Sequence, residues 1–421
     1  MTRLVARVRS VRGAESYKPP HVLLVVENVA LARDHRLQKQ VSALSGSGYR
    51  VTVICRADPR NHRFGVRVQE YPAPPEATSR LGFVREYAYS WVMAAWLVLK
   101  LFLVDRFEAI QISGTPDIYF AIGAPFKLLG RRLVLDQRDL SPELYATRYG
   151  HRSGIVYRAL CRLEKISYRT ADHVITVNSS LQSTVQSRGG LSPAKVTVVG
   201  NGPVIARAWK RPPRMELKHG KRFLCCWLGF MGPQDRVDLA VRAIDRVVHV
   251  IGRTDCHFAF IGDGETRRTC EKLAADLGLT EWISFPGWAD QEEAFAYLST
   301  ADIGLEPNLE EIVSPVKAME YMAFGLPLVA FDLKETRALA GAAAAYAAPG
   351  DIAGFARLID RLLDEPPLRG MMGRMGRQIV EERLAWERQE GAYLQIYDDF
   401  LRRPHHQKPS IIRPERTLER V

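Results

Sequence analysis

Cysteine is scarce in this chain: six in 421 residues, scattered, with no Cys-x-x-Cys pair and no histidine at zinc-finger spacing. That excludes a disulfide scaffold and a structural zinc module, and it suits a reducing cytoplasm. No apolar run reaches the ~20 residues that a spanning helix requires. The nearest, Trp91–Val104, has fourteen and is interrupted by Lys100. No secretory leader is expected, because the first apolar run follows Pro19-Pro20 and reads as a strand. No Asp-x-Asp stands at a strand end, so no metal is expected. Zinc-finger spacing, an RRM-like aromatic signature and a basic zipper are also lacking, so no nucleic-acid partner is expected. What remains is ordinary for a folded chain: 47% apolar and 25% charged residues, which excludes disordered and fibrous classes.

The net charge of +12 is unevenly spread. Residues 1–18 carry +4, residues 402–421 carry +4, and the stretch 127–172 carries +5, leaving the rest near neutral. Basic excess held in two tails and one segment points to an anionic surface or polyanionic ligand; the alternative is tails that only aid solubility.

Strand and helix patterns alternate in two series. His21–Glu27 is a continuous apolar run of the kind found in strands buried on both faces. An amphipathic stretch follows over about Arg33–Ser45, then a strand at Arg50–Cys55, with further strands at Ala109–Ile112, Arg132–Asp136, His173–Asn178 and Val196–Val199. Asn201-Gly202-Pro203 and the proline-rich, basic Trp209–Lys221 mark a linker. The second series predicts strands at Phe223–Leu228, His257–Ile261, Trp282–Phe285, Ile303–Glu306 and Pro327–Phe331. Helices are expected at Asp235–Val250, Glu265–Leu277, Gln291–Leu298, Pro315–Phe324 and finally Trp386–Leu401. This is an α/β chain with two doubly wound Rossmann-like domains facing across a cleft, ligands lying beyond the carboxyl ends of the strands. The expected division is a basic tail (1–18), a first domain (19–203), a second domain (204–385), a helix (386–401) packing back on the first domain, and a basic tail (402–421).

The strongest site signal is Ser314–Asp332 (SPVKAMEYMAFGLPLVAFD). Ser314 reads as an N-cap and Pro315 as the first helical residue, leaving backbone N–H groups that attract phosphate. Lys317 and Glu320, three apart, share a helical face. An ammonium for phosphates and a carboxylate for paired ribose hydroxyls suit a nucleoside diphosphate. The alternative is an ordinary capped helix with an ion pair.

This run resembles the donor-site helix of glycosyltransferase family 4, retaining enzymes with the GT-B fold, in the subgroup with a Ser-Pro-x-Lys-x-x-Glu-Tyr-Met-Ala helix. Other segments match in order. Leu31–Cys55 looks like the family's opening loop, helix and second strand, and Leu135–Leu144 (LDQRDLSPEL) is similar to its Asp-x-His-Asp-x-x-Pro-Glu stretch. Trp227–Asp238 (WLGFMGPQDRVD) and Phe260–Gly287 resemble its phosphate loop and the strand framing the base. The resemblance implies transfer of a sugar from a nucleoside diphosphate sugar to a glycan or lipid-linked acceptor, without metal or other cofactor. The leaving phosphate would accept the acceptor's proton. Gly229 and Gly232 would let backbone N–H groups approach phosphate. Ser314, Lys317 and Glu320 would hold the donor, with Gly262 in a βα turn and Trp288 lining the base pocket or simply packing. Asp139, Arg138 and Lys317 are the catalytic candidates, Asp139 orienting a sugar or else capping the helix after Leu140.

The chain departs from the family in places. Ile312 stands where many members carry a first glutamate, Asp235 where lysine is common in the phosphate loop, and Arg138 where the family has histidine. Two other functions remain open. A sugar-nucleotide epimerase of the same fold would need a histidine at the cleft, and His21, His35, His151 and His173 do not obviously gather there. A non-catalytic scaffold on a membrane surface would tolerate the missing cations. The apolar Trp91–Val104, rimmed by Phe83, Arg85, Tyr87, Tyr89 and Arg106, is either a core helix or an interfacial one. As an interfacial helix it would hold the protein peripherally on the inner face of the cell membrane. Arg131, Arg132, Arg148, Arg152 and Arg158 would then meet anionic headgroups.

Overall fold

The computed structural model describes residues 18–27, 29–74, 80–113, 117–150, 153–311 and 314–401. The two basic tails except Lys18, and His151, Arg152 and Ile312, lie outside the described residues, and the side chain of Phe83 is not described.

The first lobe carries seven parallel strands: β1 (His21–Val25), β2 (Arg50–Arg56), β3 (Arg67–Tyr71), β4 (Ala109–Ser113), β5 (Arg132–Gln137), β6 (His173–Thr176) and β7 (Val196–Val198). Their order across the sheet is β3-β2-β1-β4-β5-β6-β7. Its helices are α1 (His35–Gly46), α2 (Arg80–Val104), α3 (Phe120–Leu128), α4 (Ser141–Tyr149), α5 (Ile155–Thr170) and α6 (Ser179–Gly189). All five residues of β1 are buried, because helices cover both faces of the sheet. Asp34 accepts a hydrogen bond from the Leu37 N–H and Asn178 one from the Leu181 N–H, which starts α1 and α6 where the carboxyl ends of the strands deliver the chain.

The second lobe repeats the plan with β8 (Phe223–Phe230), β9 (Cys256–Asp263), β10 (Ile283–Gly287), β11 (Ile303–Glu306), β12 (Leu328–Phe331) and β13 (Ala344–Ala347). The order is β10-β9-β8-β11-β12-β13, again all parallel. Helices α7 (Val237–Asp245), α8 (Arg267–Asp276), α9 (Gln291–Thr300), α10 (Val316–Ala323), α11 (Lys334–Ala340), α12 (Ile352–Asp364) and α13 (Pro366–Ile379) flank it. Each sheet therefore reverses its winding once, between β1 and β4 and between β8 and β11. A crevice opens at such a reversal beyond the carboxyl ends of the strands.

After α13 the chain crosses back, and α14 (Trp386–Leu401) lies on the first lobe. Tyr393 and Tyr397 both donate to the side-chain oxygen of Gln111 in β4, at 2.9 and 2.5 Å, and Tyr49 donates to Asp398 at 2.5 Å. The crossing is tight. The Trp386 N–H donates to the Pro203 carbonyl, and a Cβ on Gly202 would stand 1.7 Å from the Leu384 carbonyl oxygen, so only glycine fits there.

Several sequence expectations needed correction. The edge strands β3 and β13 had no place in the strand pattern: β13 reads AAYA, poor in the β-branched residues that mark strands. The helix expected over Asp235–Val250 begins at Val237, with Asp235 in a preceding 3₁₀ turn. Helix α10 starts at Val316 with Pro315 in the cap position and no side-chain cap, so Ser314 is not the N-cap. The apolar helix α2 has 25 residues rather than fourteen, and Val84–Val104 is by length and composition alone long enough to cross a bilayer. Ser90, Ala94 and Val98 are fully buried and Leu101 nearly so, whereas Trp96 is 52% exposed and Leu99, Leu103 and Val104 also face out. One face of α2 is thus part of the core, and the other leaves apolar side chains exposed. Trp91 belongs to the inner side, donating to the Ile118 carbonyl at 3.3 Å.

Candidate active site

The crevice of the second lobe is built at the β8/β11 reversal. Strand β8 ends in Gly229-Phe230, and the turn that follows is closed by Asp235, whose carboxylate accepts from the Gly232 N–H at 3.2 Å. The other carboxylate oxygen of Asp235 receives the Lys317 ammonium at 2.5 Å. The charge of this loop has therefore changed places. An acid holds the turn, and the cation reaches over it from α10. Burial opposes the charge on Lys317, but Glu306 and Asp235 outweigh it and raise its pKa.

Glu306, the last residue of β11, is 2% exposed, and neither carboxylate oxygen makes a hydrogen bond of good geometry among the described residues, the Asn308 backbone being close enough to favour its charge. Burial pushes its pKa up, Lys317 acting in the other direction. Sequence reasoning passed over this residue, although its place at the carboxyl end of an expected strand was a usable signal. Glu320, one turn beyond Lys317, is half-buried, and no hydrogen bond to its carboxylate is found among the described residues. Burial raises its pKa, and Lys39 of the first lobe and Lys317 draw it back.

Gly262 has a definite structural reason. It lies within β9, paired with Gly229 of β8, and not in the turn that follows; with φ of +140°, a Cβ there would lie 1.8 Å from the Gly229 carbonyl oxygen, so the two strands approach this closely only with glycine at 262. Gly229 in turn lies against the Lys317 stem, 3.1 Å from where its own Cβ would be. Trp288 follows β10 and is 60% exposed, which removes core packing as its role.

Across the cleft, β5 delivers Asp136, Arg138 and Asp139. Asp136 is fully buried and bound by Arg36 at 2.7 Å, Gln40 at 3.0 Å and Arg138 at 3.2 Å. Burial alone would raise its pKa, but the Arg36 and Arg138 guanidinium groups hold it well below the carboxylate range. Arg138 also donates to Asp34 at 2.5 Å and to Ser113 at 3.1 Å. The residue standing at the family's histidine position is thus held in a charge network at the ends of β4 and β5 and the start of α1. Asp139 does not cap α4: the cap position is Leu140, without a side-chain hydrogen bond. Burial raises the pKa of Asp139, with Arg138 opposing and Asp235 of the other lobe adding to it; α4, which Asp139 precedes, packs against the turn that carries Asp235.

Lys39 completes the junction. Its ammonium binds the Asn201 side chain at 2.8 Å and the Gly202 carbonyl at 2.7 Å, tying α1 to the linker. Burial and Arg36 bring its pKa down to about 7, with Glu320 opposing. Nothing in the sequence pattern singled it out. Two further contacts bridge the lobes: Thr147 to Glu310 at 2.6 Å and Arg148 to Glu265 at 2.6 Å. Arg148, one of the arginines expected at a headgroup surface, is thus one side of an exposed bridge between the lobes. His21 and His173 open β1 and β6 at their amino ends, bound to Thr52 and Thr197, the wrong end of the sheet for cleft chemistry. Among the described residues no group of three His, Cys, Asp or Glu side chains is placed to hold a metal.

Two lobes of this topology with their crevices facing one another define the GT-B class. Residues 34–202 match the family described as "Glycosyl transferase 4-like domain", and residues 222–365 match "Glycosyl transferases group 1". The glycogen synthase of Mycobacterium tuberculosis is 27% identical over 382 residues, covering 85% of this chain and 88% of that one. Among solved structures, sucrose-phosphate synthase from Thermosynechococcus elongatus superposes with a TM-score of 0.74 at 19% identity, covering 91% of this chain and all of that one. The Anabaena protein HepE in complex with UDP-glucose gives 0.70 at 16%, covering 90% and 99%. The chain belongs to the glycosyltransferases of GT-B type.

Proposed function

We propose that the protein is a retaining, family 4 hexosyltransferase that moves a sugar from a nucleoside diphosphate sugar to a glycan or lipid-linked acceptor in cell-surface polysaccharide or glycolipid synthesis. The observation that carries this reading is Glu320: a half-buried carboxylate between Lys317 and Lys39, without a hydrogen bond among the described residues, at the mouth of the donor-side crevice. Such a group suits two adjacent ribose hydroxyls. Lys317 and the backbone N–H groups near Gly229 and Gly232 would meet the diphosphate, so no metal or other cofactor is needed. Asp139, opposite the phosphate loop, would orient the sugar at the reacting centre, with Arg138 acting through Asp34 and Asp136. Trp288 would stack on the base. HepE is described with bound UDP-glucose, which makes a uridine nucleotide the first donor to try.

A peripheral membrane location is supported by α2. Its inner face is docked on the first lobe, while Trp96, Leu99, Leu103 and the neighbouring Leu128 are exposed beside Arg131 and Arg106. A helix docked along one face and apolar on the other lies in a membrane interface rather than across it. The protein would then work in the cytoplasm, peripherally on the inner membrane face. Incubation with UDP-glucose and GDP-mannose, with and without glycoside acceptors, tests the activity. Nucleotide release that depends on acceptor, with an axial product anomer by NMR from these axial donors, supports it. Donor isomerisation without acceptor would mean an epimerase, and no nucleotide binding at all would mean a scaffold.

A further inference from the structure

Asp139 lies between the end of β5 and the start of α4, and the side chains that fix this turn stand behind it. On one side the buried Gln137 amide, at the end of β5, donates to the Asp139 carbonyl at 2.6 Å. On the other side the chain is fastened twice to α6. Leu140 packs on Val177 and Leu181, and three residues further on the Glu143 carboxylate of α4 is gripped by both terminal nitrogens of Arg188, in the last turn of α6. One of those nitrogens also donates to Glu164 of α5 at 2.8 Å, and Glu164 is fully buried. A single guanidinium therefore ties α4, α5 and α6 together. The tied helix also reaches the second lobe: α4 packs on the turn carrying Asp235, and its Thr147 and Arg148 make the contacts to Glu310 and Glu265.

We propose that Arg188 is a positioning residue for sugar transfer: by clamping Glu143 to Glu164 it fixes where α4 begins, and with it the place of Asp139 at the reacting centre. The inference rests on the transfer reading above and concerns the same site. A misplacement of about 1 Å at a reacting centre costs up to about a hundredfold in rate, even when the altered residue is remote. The clamp requires arginine, because a planar fork holds two carboxylates at once and the single ammonium of lysine does not reproduce that geometry. It also depends on protons. Three carboxyl groups, Glu143, Glu164 and Asp117, face one guanidinium, and the other titratable groups beside it are Tyr157, Cys161 and Tyr168. Burial, with Asp117 adding to it and Arg188 opposing, pushes the Glu164 carboxyl up to about 8. Burial likewise pushes Asp117 up to about 6, against Ser141, Gln137 and Arg188. A carboxyl whose pKa is raised on folding contributes stability that is complete below its unfolded value and lost as pH rises through the folded one. At neutral pH the Glu164 proton is still largely in place, and the clamp weakens as pH passes about 8.

The test combines donor turnover with hydrogen exchange, both on the full chain. Turnover is nucleotide release from UDP-glucose and, in parallel, from GDP-mannose, with the same glycoside acceptors. Exchange is followed by mass spectrometry over residues 139–149 and corrected for the intrinsic pH dependence of amide exchange. Arg188→Lys is expected to lower kcat about tenfold, to leave the donor KM within about twofold, and to reduce the protection of α4 about tenfold at pH 7. Glu164→Gln is neutral at every pH and still accepts from Arg188, so it should keep both kcat and protection at pH 9, where wild type loses them. Thermal melts confirm that each variant is folded; Glu164→Gln, which removes a buried charge, keeps the test open if Arg188→Lys is not. The proposal is overturned if folded Arg188→Lys keeps the wild-type kcat, if α4 is as protected in it as in wild type, or if Glu164→Gln declines with pH at the wild-type midpoint. If wild type turns over neither donor, the transfer reading is what fails, and the exchange measurement, which needs no turnover, alone upholds or overturns the clamp.

Discussion

Replacing Glu320 with glutamine isolates one charge on α10, one turn beyond Lys317. The carboxylate is half-buried, no hydrogen bond to it is found among the described residues, and its charged neighbours are Lys39 and Lys317. If it receives ribose hydroxyls, each lost charge-assisted bond removes about 1.5–3 kcal/mol, or about 10- to 150-fold in affinity. Glutamine retains one acceptor oxygen, so the loss should sit toward the lower end of that range. The variant should not unfold, and its pH dependence gives an independent check. Burial raises the pKa of Glu320 above its ordinary 4.5. The stability this group contributes is then fully present below 4.5 and lost as pH rises through the shifted value. Glu320→Gln, neutral throughout, should melt at the same temperature as wild type at pH 4 and higher at pH 8. Calorimetry with UDP, GDP and the free nucleosides reads the affinity. An unchanged nucleotide affinity in a folded variant would refute the assignment, and an unchanged melting temperature at pH 8 would refute the electrostatic account of its environment.

Lys317→Ala should weaken diphosphate binding more than nucleoside binding, because the ammonium lies at the phosphate loop and not at the ribose end; equal losses by calorimetry would make its bond to Asp235 purely structural. Gly262→Ala places a methyl group 1.8 Å from the Gly229 carbonyl oxygen at a positive φ, so it should cost about 3 kcal/mol or more by denaturant unfolding and abolish nucleotide binding; a variant as stable as wild type would disprove that contact. On the membrane side, the protein should sediment with anionic vesicles and less so at high salt. Trp96→Ser with Leu103→Ser should reduce the salt-resistant fraction without a change in melting temperature; wild type remaining in the supernatant with every vesicle composition would return α2 to the core.

The local order of the chain was legible from sequence because parallel sheets bury their strands on both faces. Strands such as HVLLV announce themselves as unbroken apolar runs, and Asp34, Asn178 and Asp290 cap helices where the pattern changes. Ile303–Glu306 and Trp386–Leu401 stand in the fold with the bounds that periodicity implies. Edge strands escaped because they need only half the apolar content, and β13 is mostly alanine. The length of α2 escaped because a helix with one docked face and one exposed apolar face shows no amphipathic contrast to trace.

The donor helix, too, was readable, since Lys317 and Glu320 are close in sequence and their spacing alone puts them on one face. What could not be read was which charges meet across long separations. Asp235 looked like a missing lysine; only the packing of α10 over the turn shows that it is the partner of Lys317, 82 residues away. Arg138 looked like a catalytic substitute, and the fold instead holds it between Asp34, Asp136 and Ser113. Lys39 and Glu306 carry no motif. Their significance comes from burial and from unpaired or shared polar atoms, and those are properties of the assembled lobes. Sequence determined the repeating strand–helix units; the order of the strands, and hence the two reversals, belongs to the tertiary structure. The tertiary structure decided which side chains those crevices receive, because desolvation and Coulomb pairing depend on distance in space and not along the chain.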